Sequence, residues 1–342
     1  MPRYLLLTSA AVLAAVLTAC GGGGGGDSAA TATATAAAAS VSPGATLVSG
    51  FVEEDVAAFQ LLNAERLHCG FGALVRNANL DAAARAHADY QAVNGIVDHL
   101  EDAAARPVGF TGRLPVDRVL AKGYAARAAD IGGVADEITA LLGTASKTGL
   151  GESGIRSLLN APYHLRGLVS GYRDVGLAVR SSTDVGSPQP SVYLQINAAY
   201  LTAAGPQLLA PTDMRTYPCE GSGNINFRLS NESPNPVPGR DLAVNPLGSS
   251  VYVAVQPGNR LVVSSAVFTQ VSTGQVVATR APVGGANDPY RGCSEGCFGG
   301  HEAYIAADAP MMPGTVYRVS LAGSNNGVAF TRVFNFTTGS GG

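Results

Sequence analysis

The chain has no tryptophan, and only 14% of its 342 residues are charged, about half the usual share. Lys and Arg (22) nearly balance Asp and Glu (25), for a net charge of −3. Without a basic excess, the electrostatic footprint of a nucleic-acid binder is missing. Sparse charge with many small residues also argues against a thermophile-style ion-pair surface. Familiar catalytic signatures are absent too. No Gly-x-Ser-x-Gly elbow and no His-Glu-x-x-His occur, and after His301-Glu302 the position of a second His is taken by Ile305. The hexaglycine Gly21 to Gly26 is not followed by Gly-Lys-Ser/Thr, so it is no phosphate loop. The longest apolar run, residues 5–19, is too short for a comfortable membrane span. What is present is glycine, 43 residues, and a 46% apolar fraction that suffices for real cores. At roughly 150 residues per domain the length predicts about two domains.

Five cysteines leave one unpaired in an oxidising compartment. The N-terminus accounts for it. Arg3 precedes the apolar run, which ends Leu17-Thr18-Ala19-Cys20. This resembles the lipobox of bacterial lipoproteins, which implies removal of residues 1–19 and lipidation of Cys20. Two or more acyl chains would give a stable membrane anchor. Gly21 follows in place of Asp, which by the same resemblance favours the outer membrane of a Gram-negative envelope. Residues 20–50, rich in Gly, Ala and Thr, cannot bury enough apolar area to offset ordering entropy and are expected to be a flexible tether.

From position 51 the pattern turns helical. Val56, Phe59, Leu62, Asn63, Arg66 and Leu67 recur at spacings of three or four until Gly70. Residues 80–93 predict a second helix broken by Gly95, with further helices over 113–123, 131–142 and 155–169. Strands are expected at 175–180 and 191–200, so the segment 51–205 reads as helices covering an antiparallel sheet.

Leu62-Asn63-Ala64-Glu65-Arg66 and Gly70-Phe71-Gly72-Ala73-Leu74 resemble the opening of the CAP superfamily (cysteine-rich secretory proteins, antigen 5 and pathogenesis-related proteins). Further pieces follow in the same order. They are Asn79-Leu80 with Ala84, His87 and Ala88; Asp98-His99; Asp117-Arg118 with Gly123-Tyr124; Asn160-Ala161-Pro162-Tyr163-His164-Leu165-Arg166; and Asp174-Val175-Gly176-Leu177-Ala178. The family's Gly-Glu-Asn-Ile-Ala box survives only as Asp136-Glu137-Ile138, and Leu158 stands where bacterial members have Trp. The resemblance implies a CAP-type α-β-α sandwich whose cleft gathers His99, Glu137 and His164. The fourth member of the family's His/Glu tetrad has no clear counterpart, Glu152 being nearest. Two imidazoles and a carboxylate suit a divalent ion, zinc above all, with an open position. They serve equally well to bind a polar ligand or to brace a cleft. His87 reads as a packed helix residue, and His68 complements a helix C-terminus.

After Cys219, Pro234, Pro236 and Pro238 punctuate short runs rich in β-branched and aromatic residues. Strands are expected at 251–255, 261–270, 275–279, 303–306, 315–321 and 330–336, which predicts a β-sandwich over 231–342 joined by a linker at 206–230. Met312-Pro313-Gly314-Thr315-Val316-Tyr317-Arg318-Val319, Gly323 and Phe334-Asn335-Phe336-Thr337-Thr338 resemble the end of bacterial Ig-like domains. Cys293, Cys297 and His301 could form a metal site, but export favours a tight Cys293–Cys297 disulfide. Cys69 is then expected to pair with Cys219, one of three possible connectivities.

The fold class expected is therefore α+β: a CAP-type unit followed by an all-β Ig-like sandwich. The function expected is a monomeric, lipid-anchored envelope protein that binds a cell-wall, lipid or protein ligand in a His/Glu-lined cleft, with or without a divalent metal. A metal-dependent hydrolase of peptide or glycan using the same cleft is the alternative.

Overall fold

The computed structural model describes residues 52–291 and 297–340. The expected signal peptide, Cys20 and the tether lie outside the described residues, as does Cys293.

Helix α1 (Val52–His68) leads into a two-residue strand β1 (Val75–Arg76) and helix α2 (Ala78–Asn94). Asn77 starts α2 by accepting from the backbone N–H groups of Asn79 and Leu80, and Gly95 ends it at φ +62°, a conformation glycine adopts without penalty. Next come α3 (Pro115–Ala121), β2 (Ile131–Leu142), α4 (Leu150–Asn160), α5 (Pro162–Val169), β3 (Asp174–Ser181) and β4 (Ser191–Leu201). The four strands form one sheet in the order β1-β3-β4-β2.

Two expectations are corrected here. Residues 131–142 are not a helix. They pair antiparallel with β4 along their whole length, because Gly132-Gly133 and the β-branched Ile131, Val134, Ile138 and Thr139 disfavour helix and suit a pleated surface. Residues 155–169 form two helices, since Pro162 lacks the N–H to continue α4 and holds Ala161 at extended angles.

Residue parity shows how the sheet is covered. Val175, Leu177, Val179, Val192, Leu194 and Ile196 share a buried cluster with Ala58 and Leu62 of α1, Ile155 and Leu158 of α4, and Leu165 and Leu168 of α5. The alternate residues face α2: Tyr193 and Ile138 pack on Ala88 and Ala92, and Ala199 packs on Leu80 and Ala83. Gly176 lets α2 come so close that a Cβ there would lie 2.0 Å from the Leu80 carbonyl carbon.

The remainder is a sandwich of two sheets. One has the order β10 (Val283–Gly284), β11 (Glu302–Ala306), β7 (Ser250–Val255), β5 (Met214–Tyr217). The other runs β6 (Ser222–Ile225), β13 (Val328–Thr338), β12 (Val316–Asn325), β8 (Leu261–Gln270), β9 (Val276–Val277). The segment 206–230, expected as a linker, thus carries two sandwich strands, β5 on β7 and β6 on β13.

All six residues of β7 are buried because the strand is covered on both sides. Val251 and Val253 join Phe268, Val319, Leu321 and Phe334 in the sandwich core. Ser250 and Tyr252 face the helices, where Ser250 Oγ donates to the Asn160 carbonyl (3.2 Å) and the Tyr252 ring lies 6.2 Å from Phe71. Helices α1, α4 and α5 are therefore shared filling between two sheets, and the described residues belong to one compact unit. The Cys69–Cys219 disulfide, bridging 150 positions, fastens the end of α1 to the sandwich. A loop of that length corresponds to about 5 kcal/mol in the chain-entropy model. Cys297 is also disulfide-bonded.

Candidate functional site

β2 is one edge of the helical sheet, and a cleft of about 680 Å³ lies along its residues 134–137. His99, Glu137 and His164, far apart in sequence, all line this cleft. Glu152, on α4, does not.

His99 belongs to the loop between α2 and α3, which buried polar groups hold in place. The buried His87 ring bridges the Glu101 carboxylate (2.8 Å) and the Asp98 carbonyl (2.9 Å). Glu101 also accepts from the Thr111 hydroxyl (2.8 Å). Arg118, fully buried on α3, donates to the His99 carbonyl (3.1 Å) and reaches Asp136 Oδ1 (3.1 Å). The His99 ring, 39% exposed, meets Asp136 Oδ2 through Nδ1 (2.9 Å). Burial pulls the imidazole pKa down, but the hydrogen bond and charge of Asp136 outweigh it and hold His99 above its ordinary value.

Asp136 and Glu137 are successive residues of β2, so the pleat sends them to opposite faces. Asp136 faces α2 and is saturated with partners. Besides His99 and Arg118, Gln195 donates to it (2.6 Å), and the Asn197 amide, oriented to accept from the Ala84 N–H, donates at 2.8 Å. Burial alone would raise Asp136, yet His99, Arg118 and His87 hold it below the usual carboxylate range. Glu137 faces α5, with its carboxylate against Gly167, where a Cβ would fall 1.7 Å from Oε1. It is 8% exposed. Burial, reinforced by the negative Asp136 and Glu232 and only partly offset by Arg166, pushes it well above the ordinary glutamate value.

His164 sits in the first turn of α5. Its ring centroid is 6.2 Å from that of His99, with a 34° tilt. Behind it stands Glu232 from the sandwich, whose Oε1 accepts from the Tyr163 N–H (2.7 Å) and lies 3.6 Å from His164 Nδ1. The neighbouring Ser233 and Pro234 line the cleft. Arg166, one turn along α5 from Tyr163, is held by Glu302 of β11 (2.8 Å), which also accepts from the Tyr252 hydroxyl (2.8 Å).

Of the expected metal set, the His99 and His164 rings stand side by side with their centroids 6.2 Å apart, whereas two imidazoles on one tetrahedral ion with Zn–N bonds of about 2.1 Å would bring the centroids to roughly 5 Å. Glu137 does not complete the set: among the described residues, no three His, Cys, Asp or Glu side chains form a group that could hold a metal ion. Sequence reasoning missed Asp136 as the partner of His99 and Glu232 as the neighbour of His164. The first was signalled by its place beside Glu137 in the quoted box; the second had no local signal, because it arrives from the other end of the fold.

No family model matches the sequence, and no curated protein does. Among solved structures, an outer surface protein from Borrelia burgdorferi aligns with a TM-score of 0.33 and 14% identity, over 44% of this chain and 94% of that one. No described helix is long and apolar enough to cross a membrane.

Proposed function

We propose that this chain is a cell-envelope binding protein, anchored through a lipidated Cys20, whose CAP-like helical lobe takes a ligand in the cleft at the β2 edge. The observation that carries the reading is the convergence of His99, Glu137 and His164 on one cleft of about 680 Å³, large enough for a small-molecule or peptide segment. The cleft offers ring nitrogens, a carboxyl group, the Arg166 guanidinium and the apolar walls of Leu114, Pro115 and Val134. That mixture suits a polar group carried on an apolar stem. A divalent ion held by His99 and His164 would supply Lewis acidity toward such a ligand.

Isothermal calorimetry with zinc, on the wild type and on His99→Ala/His164→Ala, tests the metal part. The expected result is a binding isotherm that the double variant loses; an unchanged isotherm removes the imidazoles from the site. A panel of muropeptides, acyl lipids and peptides titrated into both proteins tests the ligand part. Ligand affinity that survives the double substitution would overturn the reading, and turnover of any panel member would replace binding with hydrolysis.

A further inference from the structure

The sandwich supplies part of the cleft. Glu232, Ser233 and Pro234 lie in the long connection between β6 and β7, and Ser233 and Pro234 are cleft walls. The Glu232 side chain is fully buried. One oxygen, Oε1, serves the first turn of α5, a helix whose N-cap residue Ala161 offers no side-chain acceptor. The other, Oε2, has no hydrogen-bond partner among the described residues, and neither does the buried Nδ1 of His164. Two buried polar atoms without partners, on groups 3.6 Å apart, are costly unless they serve each other or an occupant.

The geometry points to Glu232 as a positioning residue for His164, so that the cleft is a composite site with a carboxylate behind each imidazole: Asp136 of the helical lobe behind His99 and Glu232 of the sandwich behind His164. Such a carboxylate fixes which ring nitrogen carries the proton and which way the ring faces. With Nδ1 turned to a carboxylate in both rings, Nε2 is the nitrogen left to meet the occupant. Neutral rings present two Nε2 acceptors, and His99, whose protonated form Asp136 favours, can donate through Nε2 instead; a hydroxyl, which both donates and accepts, matches either state. The inference rests on the cleft being the ligand site only for this last step; the placement of the proton stands on its own.

Nitrogen-15 NMR of the histidine rings at alkaline pH tests it on the full chain. Wild-type His164 is expected in the Nδ1–H form. Glu232→Gln keeps an acceptor and should keep that form, whereas Glu232→Ala should shift His164 toward Nε2–H and leave His99 unchanged. A role limited to capping α5 would lower the melting temperature without moving the tautomer. An Nε2–H form in the wild type, or a tautomer indifferent to Glu232→Ala, overturns the inference. If Glu232→Ala does not fold, the wild-type form and Glu232→Gln still decide, since loss of Nδ1–H in Glu232→Gln would contradict the acceptor role. If the tautomers behave as expected but neither zinc nor any panel ligand binds, the proposed function fails and the composite geometry remains.

Discussion

Asp136 and Glu137 share a strand, a burial level and a chemical type, yet the two faces of β2 treat them oppositely. On the α2 face Asp136 is surrounded by His99, Arg118, Gln195 and Asn197 and held ionised. On the α5 face Glu137 has burial and negative neighbours, and its carboxyl is driven toward the neutral form. The difference separates a group that organises the fold from one that the fold leaves largely uncompensated, which the proposed ligand cleft would account for. Residues at binding sites commonly give up stability in this way.

The largest effect should come from removing the organiser. Asp136→Ala leaves the Arg118 guanidinium buried without its counter-charge, and urea denaturation should register a loss of about 3–5 kcal/mol. An effect below about 1 kcal/mol would break the comparison.

Glycine substitutions probe the same two faces with a single carbon. Gly176→Ala drives a methyl into the backbone of α2 at Leu80 and Asp81, which cannot yield, and should cost about 2–3 kcal/mol. Gly167→Ala meets only the far end of the Glu137 side chain, which can swing away, and the better helix former offsets the strain. A net change within about 1 kcal/mol is expected, together with altered ligand affinity. Equal costs at the two glycines would show that Glu137 is as firmly placed as the α2 backbone.

Asp136 contributes to the acid limb of the stability curve together with Glu101 and Glu302, whose carboxyls are also held below the ordinary glutamate value. The folded pKa of Asp136 lies below the ordinary 3.8, so its stabilising contribution is complete above that value and lost as pH falls through the folded one. Asp136→Asn should flatten this limb in acid-denaturation curves, a smaller effect confined to strongly acidic solution.

Much of the scaffold was legible in the sequence. The Asn77 cap and Gly95 stop delimit α2 by local chemistry, and the Cys69–Cys219 pairing, one of three connectivities, followed once Cys293 and Cys297 were assigned to each other. Residues 131–142 misled because their periodicity is compatible with a helix, while strand pairing to β4 is a long-range term absent from any local window. Strands β5 and β6 were hidden for a similar reason: each has four residues, and a Pro-bearing turn separates them. For the site, the order of motifs brought His99, Glu137 and His164 to one cleft. What decides their chemistry comes from elsewhere. Arg118 and Gln195 depend on helix and sheet packing, and Glu232 depends on the sandwich docking against α5.

The most direct test is the stability of wild type and Glu137→Gln by chemical denaturation from acidic to alkaline pH. The folded pKa of Glu137 lies above its ordinary 4.5, so its contribution is fully present below 4.5 and lost as pH rises through the folded value. His99, whose folded pKa also lies above its ordinary value, adds a slope of the same sign above 6.5 in both proteins, and the difference curve isolates Glu137. The wild type should lose stability relative to Glu137→Gln as pH increases. Parallel curves, or a wild type that gains on the variant with rising pH, would contradict the assignment of Glu137 as an unpartnered carboxyl kept for the cleft.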